Sequence, residues 1–381
     1  MLAAHQVYSL PPDKLQRAIE YAHASYWLHF VSEIYVIVIL AAIVASGLAA
    51  KFRDWAQAAS HRRFIQALIF VPLLLITNDV LYLPANIYGQ HLELEFDQSI
   101  QSWPSWLWDW TKTELIMLLC AVPVAFFLYA VIRRSPRRWW LYFWLASLPT
   151  IAVVMYLEPM IIEPMFYRFE PLAATHPALT DQLEALVARA GLSIPRNRMF
   201  EMKASEKLNS LNAYVSGFGG SKRVVVWDTT LQKLTTPETL FVFGHEMGHY
   251  VLNHIRNSLA LLALALLALF WAGSHIARRM VPDVSDWTSL PVLLLILAVA
   301  SALSEPIVNS YSRWQEHQAD LFALQITRGI VPPAAAAHSF QVMGEIGLDE
   351  PNPNPFIVFW LYSHPSTSSR FDLALRYAAP R

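Results

Sequence analysis

The stretch Phe243–Ala277, FGHEMGHYVLNHIRNSLALLALALLALFWAGSHIA, joins two histidines four residues apart to a long apolar run. The run, Asn257–Ala277, contains no Asp, Glu, Lys or Arg, and its length approaches the roughly 20 residues that a helix needs to cross a bilayer. The polar part contains His245 and His249, which share one face of a helix because positions four apart are neighbours. This stretch therefore predicts a polar helix that leads directly into a membrane helix.

The rest of the chain has the composition of a membrane protein. Of its 381 residues, 55% are apolar and only 15% are charged, whereas a soluble domain has about a quarter charged residues. Further apolar runs approach the length of a membrane helix; they are Ile34–Ala50, Phe64–Leu83, Leu115–Ile132, Trp139–Leu157 and Trp287–Ser304. We therefore predict six membrane helices, an integral multi-pass protein and the lipid bilayer as a partner.

Charge and cysteine content exclude other classes of protein. The net charge of −1 offers no basic field, so no nucleic acid is expected as a partner. The single cysteine, Cys120, excludes an intramolecular disulfide framework and a cysteine-rich zinc finger. Residues 1–28 are polar and mixed, without a compact apolar core, so no cleavable signal peptide is expected.

Residues 170–256 have a different pattern, in which short periodic segments alternate with turn residues. The spacing predicts a helix over Thr180–Ala190, strands over Arg198–Met202 and Arg223–Trp227, an edge strand with a turn over Asn212–Gly220, and a helix from Pro237 to Asn253. These elements form a small α+β module that is inserted between the fourth and fifth predicted membrane helices.

The two histidines belong to the motif His245-Glu246-Met247-Gly248-His249. Both imidazoles can reach one metal ion from the same face of a helix, and Glu246 lies beside them, where it can polarise a metal-bound water. The alternative is a pair of surface histidines on a polar helix. The motif predicts a metal site that holds one Zn²⁺ ion per chain.

A catalytic zinc normally has three protein ligands, so a third is expected from another part of the chain. Glu316 is the best candidate, because the hairpin of the last two membrane helices returns the chain to the same membrane face. Asp320, one turn further on, can accept a hydrogen bond from a ligand imidazole and fix its tautomer. His317 is the alternative ligand, but it points about 100° away from Glu316 on a helix.

This combination of motifs resembles the type I CAAX prenyl protease family, which consists of integral-membrane zinc metallopeptidases. The similar segments, besides the histidine motif, are Ile162–Leu172, Asn212–Phe218, Lys222–Val225, Asp228-Thr229, Glu316–Asp320, and Ser363-His364-Pro365 with Arg370. The resemblance covers residues 150–381 well and the N-terminal helices loosely. The chain departs from eukaryotic members, which have seven membrane helices and a long insertion before the zinc helix.

The resemblance implies a role for each matching residue. Glu246 would deprotonate the attacking water, and His364 would donate to the oxyanion. Arg370 would support that segment or bind the substrate backbone. Three residues would bind an extended peptide as an added strand; they are Asn212, Ala213 and Tyr214. Without the resemblance, His364 would be interpreted as a loop histidine and Asn212 as a turn residue.

The predicted fold is mainly α: a polytopic membrane helix bundle with an inserted small α+β zinc-metallopeptidase module of the gluzincin-like kind. We expect four parts. Residues 1–169 form a membrane domain of four helices, and residues 170–256 form the metallopeptidase module with the zinc helix. Residues 257–312 form a membrane hairpin, and residues 313–381 complete the peptidase domain.

The predicted function is that of a membrane-embedded zinc endopeptidase that hydrolyses membrane-associated or lipid-modified (CAAX-type) protein or peptide substrates through a Glu-activated water. One alternative is a quality-control metalloprotease for membrane proteins without a lipid requirement. The other is a catalytically silent metal-binding membrane receptor or transporter, although Glu246 argues against it, because a silent site needs ligands but no base.

Some ionisable residues fall within or beside the apolar runs. Asp79 and Glu305 lie deep in them and predict an internal hydrated chamber, since ionisable groups in a membrane usually face the bundle interior or a water-filled cavity. Glu33 and Glu163 are interpreted as residues at helix ends, in the headgroup region.

Two criteria give opposite membrane sides for the peptidase module. Six crossings place the module and both termini on one face, and the loops of the other face are the more basic. Short basic loops favour the cytoplasm, so the charge rule places the module outside it. The family resemblance places it in the cytosol.

Overall fold

The computed structural model describes residues 7–217 and 221–378, and their first half is a bundle of long helices. The helices are α1 (Pro12–Ala45), α2 (Leu48–Ala59), α3 (Arg63–Glu95), α4 (Trp103–Arg134) and α5 (Trp139–Leu157). A π-helical turn over Glu158–Ile162 and a 3₁₀ turn over Glu163–Met165 prolong α5. Gly47, with φ of 71°, separates α1 from α2, so the predicted apolar run Ile34–Ala50 is divided between two helices.

A four-stranded sheet follows the bundle, with the strand order β1-β2-β4-β3 among the described residues. The strands are β1 (Phe169–Pro171), β2 (Met199–Met202), β3 (Ala213–Ser216) and β4 (Arg223–Trp227), and only the pair β2–β4 is parallel. β3 is therefore an edge strand, as the sequence predicted. The turn predicted to end it falls on residues 218–220, outside the described residues.

Helices pack around this sheet and lead back into the bundle. They are α6 (Leu172–Thr175), α7 (Pro177–Arg189), α8 (Asp228–Lys233), α9 (Thr236–Val251), α10 (His254–Met280), α11 (Leu290–Ile326), α12 (Pro333–Gly347), α13 (Pro355–Leu361) and α14 (Thr367–Ala378). Six helices of the described residues are long and apolar enough to cross a membrane, which confirms the predicted number. α11 is continuous from its apolar half to its polar half, which contains Glu316.

Local sequence sets the two ends of α9. Thr235 and Glu238 form a capping box, in which the Glu238 carboxylate accepts the backbone N–H of Thr235 at 2.7 Å. Asn253, two residues after the end of α9, takes the left-handed conformation, with φ of 59°, which asparagine tolerates better than most residues. The chain therefore turns at Asn253 and starts α10 at once.

Two large hydrophobic cores lie among the described residues. One lies between the sheet, α7, α9 and α12, and includes Leu183, Val224 and Phe243. The other lies among α3, α4 and the start of α11, and includes Phe70 and Trp287. Large apolar side chains cover the outside of the long helices; examples are Leu119 and Ile307, which are 76% and 70% exposed. Such an outer surface suits lipid.

Two of the ionisable residues in or beside the apolar runs, Glu163 and Glu305, have partners on other elements. Glu33 lies in the interior of α1, so its predicted position at a helix end is wrong. Glu163 does end the α5 span, but its carboxylate accepts the Tyr214 hydroxyl at 2.6 Å and pairs with Arg223, so it binds the sheet instead of lipid headgroups. Glu305 lies 3.1 Å from Nε2 of His29 and joins α11 to α1. The hydrated chamber stays a prediction.

Candidate metal centre

The centre forms where α9 lies unusually close to α11. Gly244 and Gly248, one turn apart on α9, face α11. A Cβ atom on Gly248 would lie 3.0 Å from Cα of Ala319, and one on Gly244 would lie 3.1 Å from Cγ2 of Thr327. A larger residue at either position would push the helices apart. The glycines therefore allow Glu316, on α11, to reach the histidines of α9.

The three predicted ligands form one cluster. Nε2 of His245 lies 3.0 Å from Oε2 of Glu316 and 3.2 Å from Nε2 of His249. Nε2 of His249 lies 3.5 Å from Oε1 of Glu316. One ligand atom from each residue lies within 4.8 Å of the others. His317, the alternative ligand, is exposed and is not part of this cluster.

The cluster suits a zinc ion by its chemistry. Two imidazoles and one carboxylate are the ligand set of a common class of catalytic zinc sites, which keep a fourth position open. Oε2 of Glu316 is buried and has no hydrogen-bond partner within the described ranges, although Nε2 of His245 is near. A buried acceptor without a partner costs free energy, and a cation among these three atoms would satisfy it.

Asp320 and Arg370 support the cluster from behind. Oδ1 of Asp320 lies 2.8 Å from Nδ1 of His245, so an N–H at that atom donates to the carboxylate and leaves Nε2 as the lone-pair atom. Arg370 donates to both oxygens of Asp320, at 2.9 and 2.7 Å. Asp320 is 1% exposed, so this bidentate ion pair balances its buried negative charge.

A cleft of about 480 Å³ reaches the cluster at His245. The predicted site residues that line it are Asn212, His245, Glu246, His364 and Arg370. Nε2 of His364 lies 3.3 Å from Oε2 of Glu316, and Nδ1 lies 2.9 Å from the Ser363 hydroxyl. If that hydroxyl donates to Nδ1, the proton of His364 is on Nε2, which faces the cluster.

The edge strand β3 lies beside this cleft. The Trp227 N–H donates to the Asn212 carbonyl at 3.1 Å, so hydrogen-bonded and non-hydrogen-bonded pairs alternate from this point. The alternation directs the backbone N–H and C=O groups of Ala213 and Val215 away from β4, to the free edge. The Asn212 N–H donates to the Thr230 hydroxyl at 2.8 Å, and that hydroxyl donates to the Asn212 carbonyl, also at 2.8 Å.

Burial and charge shift the pKa values on α9. Burial raises the pKa of Glu246 to about 7, which suits a proton acceptor near neutral pH. Burial, together with the charge of the neighbouring His245, lowers the pKa of His249 to about 4. Burial opposes the charged form of His245 too, but Asp320 and Glu316 outweigh it and raise its pKa to about 9. A metal ion would compete with that proton.

His254 belongs to the same group of residues but was not predicted from the sequence. Its Nδ1 lies 3.1 Å from Nδ1 of His249, and its Nε2 lies 3.2 Å from the side-chain oxygen of Gln318. Five residues along a helix would place it about 140° from His249. The turn at Asn253 brings it back, and an asparagine directly before a histidine is the only local signal of that turn.

Comparison with known proteins gives matches over almost the whole chain. The family model described as Peptidase family M48 matches residues 173–378. The model described as CAAX prenyl protease N-terminal, five membrane helices, matches residues 5–168. In that part, the described residues have four helices of membrane-spanning length together with the short α2.

Curated relatives and a solved structure agree with these models. The uncharacterized metalloprotease YhfN of Bacillus subtilis is 32% identical over 378 residues, covering 96% of this chain and 86% of that protein. A CAAX prenyl protease 1 homolog of Oryza sativa is 27% identical, covering 82% and 74%. The crystal structure of S. mikatae Ste24p superposes with a TM-score of 0.82 at 22% identity, covering 96% and 91%.

Proposed function

The chain belongs to peptidase family M48 and is a membrane metallopeptidase of the Ste24p type, and we propose that it is a zinc endopeptidase with Glu246 as its general base. Its substrates are membrane-associated or lipid-modified proteins. In this proposal residues 170–256 and 313–381 form the peptidase, and residues 1–169 and 257–312 hold it in the membrane. A silent receptor or transporter is not supported, because the family is one of peptidases.

One observation supports the proposal most strongly: His245, which clusters with His249 and Glu316, lines the same cleft as Glu246. A bound zinc ion would polarise the scissile carbonyl and the attacking water. Glu246 takes a proton from that water and passes it to the leaving amine. His364 donates from Nε2 to the carbonyl oxygen as negative charge develops there.

The substrate lies as an extended strand along β3. The free-edge backbone groups of Ala213 and Val215 pair with it, and the resulting ladder holds the peptide across the cleft. The side chain of Asn212 lines the cleft and contacts the peptide. Tyr214, whose hydroxyl is bound to Glu163 at 2.6 Å, holds the strand in place instead of contacting the peptide.

The proposal of lipid-modified substrates draws on the relatives, several of which are named CAAX prenyl protease 1 homologs. The second candidate function, quality control of membrane proteins without a lipid requirement, uses the same cleft. A farnesylated peptide and the same peptide without the lipid distinguish the two. At least about tenfold higher kcat/KM for the farnesylated peptide supports the first; equal values support the second.

The experiment for the catalytic role compares two glutamate variants of the purified protein. Glu246→Gln keeps the shape of the side chain but removes the base, so we expect peptide cleavage to fall by at least about 100-fold while zinc content stays near one per chain. Glu20→Gln, an exposed change on α1, should alter neither. Undiminished cleavage by Glu246→Gln would disprove the mechanism.

A further inference from the structure

Two cavities lie in the helix bundle at the end away from the metal cluster. The apolar cavity, of about 320 Å³, is lined by hydrophobic side chains of α3, α4, α5, α10 and α11, which include Leu128, Phe270 and Leu294. The arginine cavity, of about 270 Å³, is lined by Arg133, Arg278 and the loop between α10 and α11. The peptidase mechanism uses neither cavity.

The two cavities follow one another along the same helices. On α4, Leu128 lines the apolar cavity and Ile132 lines the arginine cavity, one turn or about 6 Å further on. On α10, Gly273 and Arg278 are related in the same way, about 7.5 Å apart. Apolar walls at membrane depth are thus followed by guanidinium groups at the helix ends, which is the order of tail and headgroup in a phospholipid.

The guanidinium group of Arg133 has a hydrogen-bond donor without an acceptor in the described residues. Its guanidinium lies over the rings of Trp287 and Tyr129, at 5.0 and 5.4 Å from their centroids. Its Nη2 is buried and has no acceptor anywhere in the described part of the chain. Arg278 donates to Ser274, at 2.9 and 3.0 Å. A phosphate group would supply Arg133 with the charged acceptor that it lacks.

The single carboxylate that lines the arginine cavity is already engaged. Asp283 accepts the backbone N–H of Ser285 at 2.8 Å and its hydroxyl at 2.9 Å. The surrounding loops are strongly basic, because their lysines and arginines outnumber their three aspartates, Asp54, Asp283 and Asp286. The basic residues are Lys51, Arg53, Arg62, Arg63, Arg133, Arg134, Arg137, Arg138, Arg278 and Arg279. Such a surface at a membrane boundary attracts anionic lipids.

We propose that one anionic phospholipid binds in this pair of cavities, with an acyl chain in the apolar cavity and its phosphate at Arg133 and Arg278. A lipid group carried by a substrate does not fit as the occupant, because Leu294 and Glu316 lie 22 residues apart on α11, a rise of about 33 Å. The site therefore binds a lipid of the bilayer and is separate from the peptidase cleft.

The test measures lipid retention by the purified full-length chain. Protein in detergent is given phosphatidylglycerol or phosphatidylcholine, and native mass spectrometry counts the lipids that stay bound. We expect wild-type protein to retain one phosphatidylglycerol at least about tenfold better than phosphatidylcholine. The double variant Arg133→Gln/Arg278→Gln should lose this preference. Arg137→Gln/Arg279→Gln removes the same charge from exposed residues outside both cavities and should keep it.

A second pair of variants tests the apolar cavity. A Cβ atom on Gly273 meets only Cγ2 of Ile296, at 3.5 Å, within 4 Å, so Gly273→Ala should keep the lipid. Gly273→Leu adds bulk in the cavity and should displace it, with cleavage of peptide unchanged in both. Equal retention of the two lipids by wild-type protein would overturn the proposal, as would equal loss in the two arginine double variants. Retention unaffected by Gly273→Leu would overturn the assigned acyl-chain position.

Discussion

Glu316 and His317 are neighbours in the sequence but lie in different environments, since Glu316 is buried in the cluster and His317 is exposed. Glu316→Gln removes the negative charge and one strong ligand atom. We expect zinc affinity to fall by more than about 100-fold, beyond the effect typical of residues that only orient a ligand. Competition with a chelating dye measures it. His317→Ala is the matched control, and zinc loss in His317→Ala instead of Glu316→Gln would contradict the ligand set.

Arg370 acts on the cluster through Asp320, whose carboxylate it contacts with two N–H groups. Arg370→Gln leaves a carboxylate that is 1% exposed without its cation, which costs about 3 kcal/mol when a buried ion pair is broken. A lower midpoint of thermal unfolding in detergent measures the loss. Arg196→Gln breaks an exposed pair with Asp181, and its midpoint should not change. An unchanged midpoint in Arg370→Gln would show that the pair is not needed for stability.

His364 lies close enough to Glu316 to be either a hydrogen-bond donor to substrate or a fourth ligand. As a donor, it acts only while charge develops on the carbonyl oxygen, so His364→Ala should lower kcat by about 100-fold with little change in KM. Zinc content should stay at one per chain. Steady-state kinetics with a peptide substrate and metal analysis of the same sample decide between the roles; loss of zinc would identify a ligand.

Between elements, the contact of α9 with α11 determines whether the ligands meet. Gly248→Val places a branched side chain where a Cβ atom is already 3.0 Å from Ala319, so the helices must separate and Glu316 must move away from the histidines. We expect zinc affinity and the thermal midpoint to fall together. Gly89→Ala, where the nearest atom is 3.6 Å away, should alter neither. Tight zinc binding by Gly248→Val would show that the close contact is dispensable.

The sequence predicted those features of the elements that depend on local pattern. Helical spacing placed His245 and His249 on one face, and the topology of the hairpin placed Glu316 near them, because a chain that crosses twice returns to the same side. Contacts between distant side chains were harder to predict. The bond between Arg370 and Asp320 spans 50 residues, and the resemblance gave only a general role to Arg370. The break at Gly47 lies inside an apolar run, where composition alone gives no boundary.

The two ends of the helix bundle differ: the peptidase module lies at one end, and short, strongly basic loops lie at the other. α1, α4 and α10 end at the basic end, α3, α5 and α11 start there, and α2 lies between α1 and α3. The peptidase module connects to the opposite ends of these helices. The short basic loops between the long helices all lie on one side of the predicted membrane, so the rule that such loops favour the cytoplasm bears on the orientation of the entire protein.

Cysteine labelling tests that orientation. In a Cys120→Ser background, which removes the chain's only cysteine, we introduce Ala59→Cys on α2 or Asp181→Cys on α7, both exposed positions. The charge rule predicts that a membrane-impermeant maleimide added to intact cells labels the second and not the first. Permeabilised cells should show both labelled, which controls for accessibility. Labelling of Ala59→Cys alone in intact cells would reverse the orientation and place the peptidase cleft in the cytosol, as the family resemblance implies.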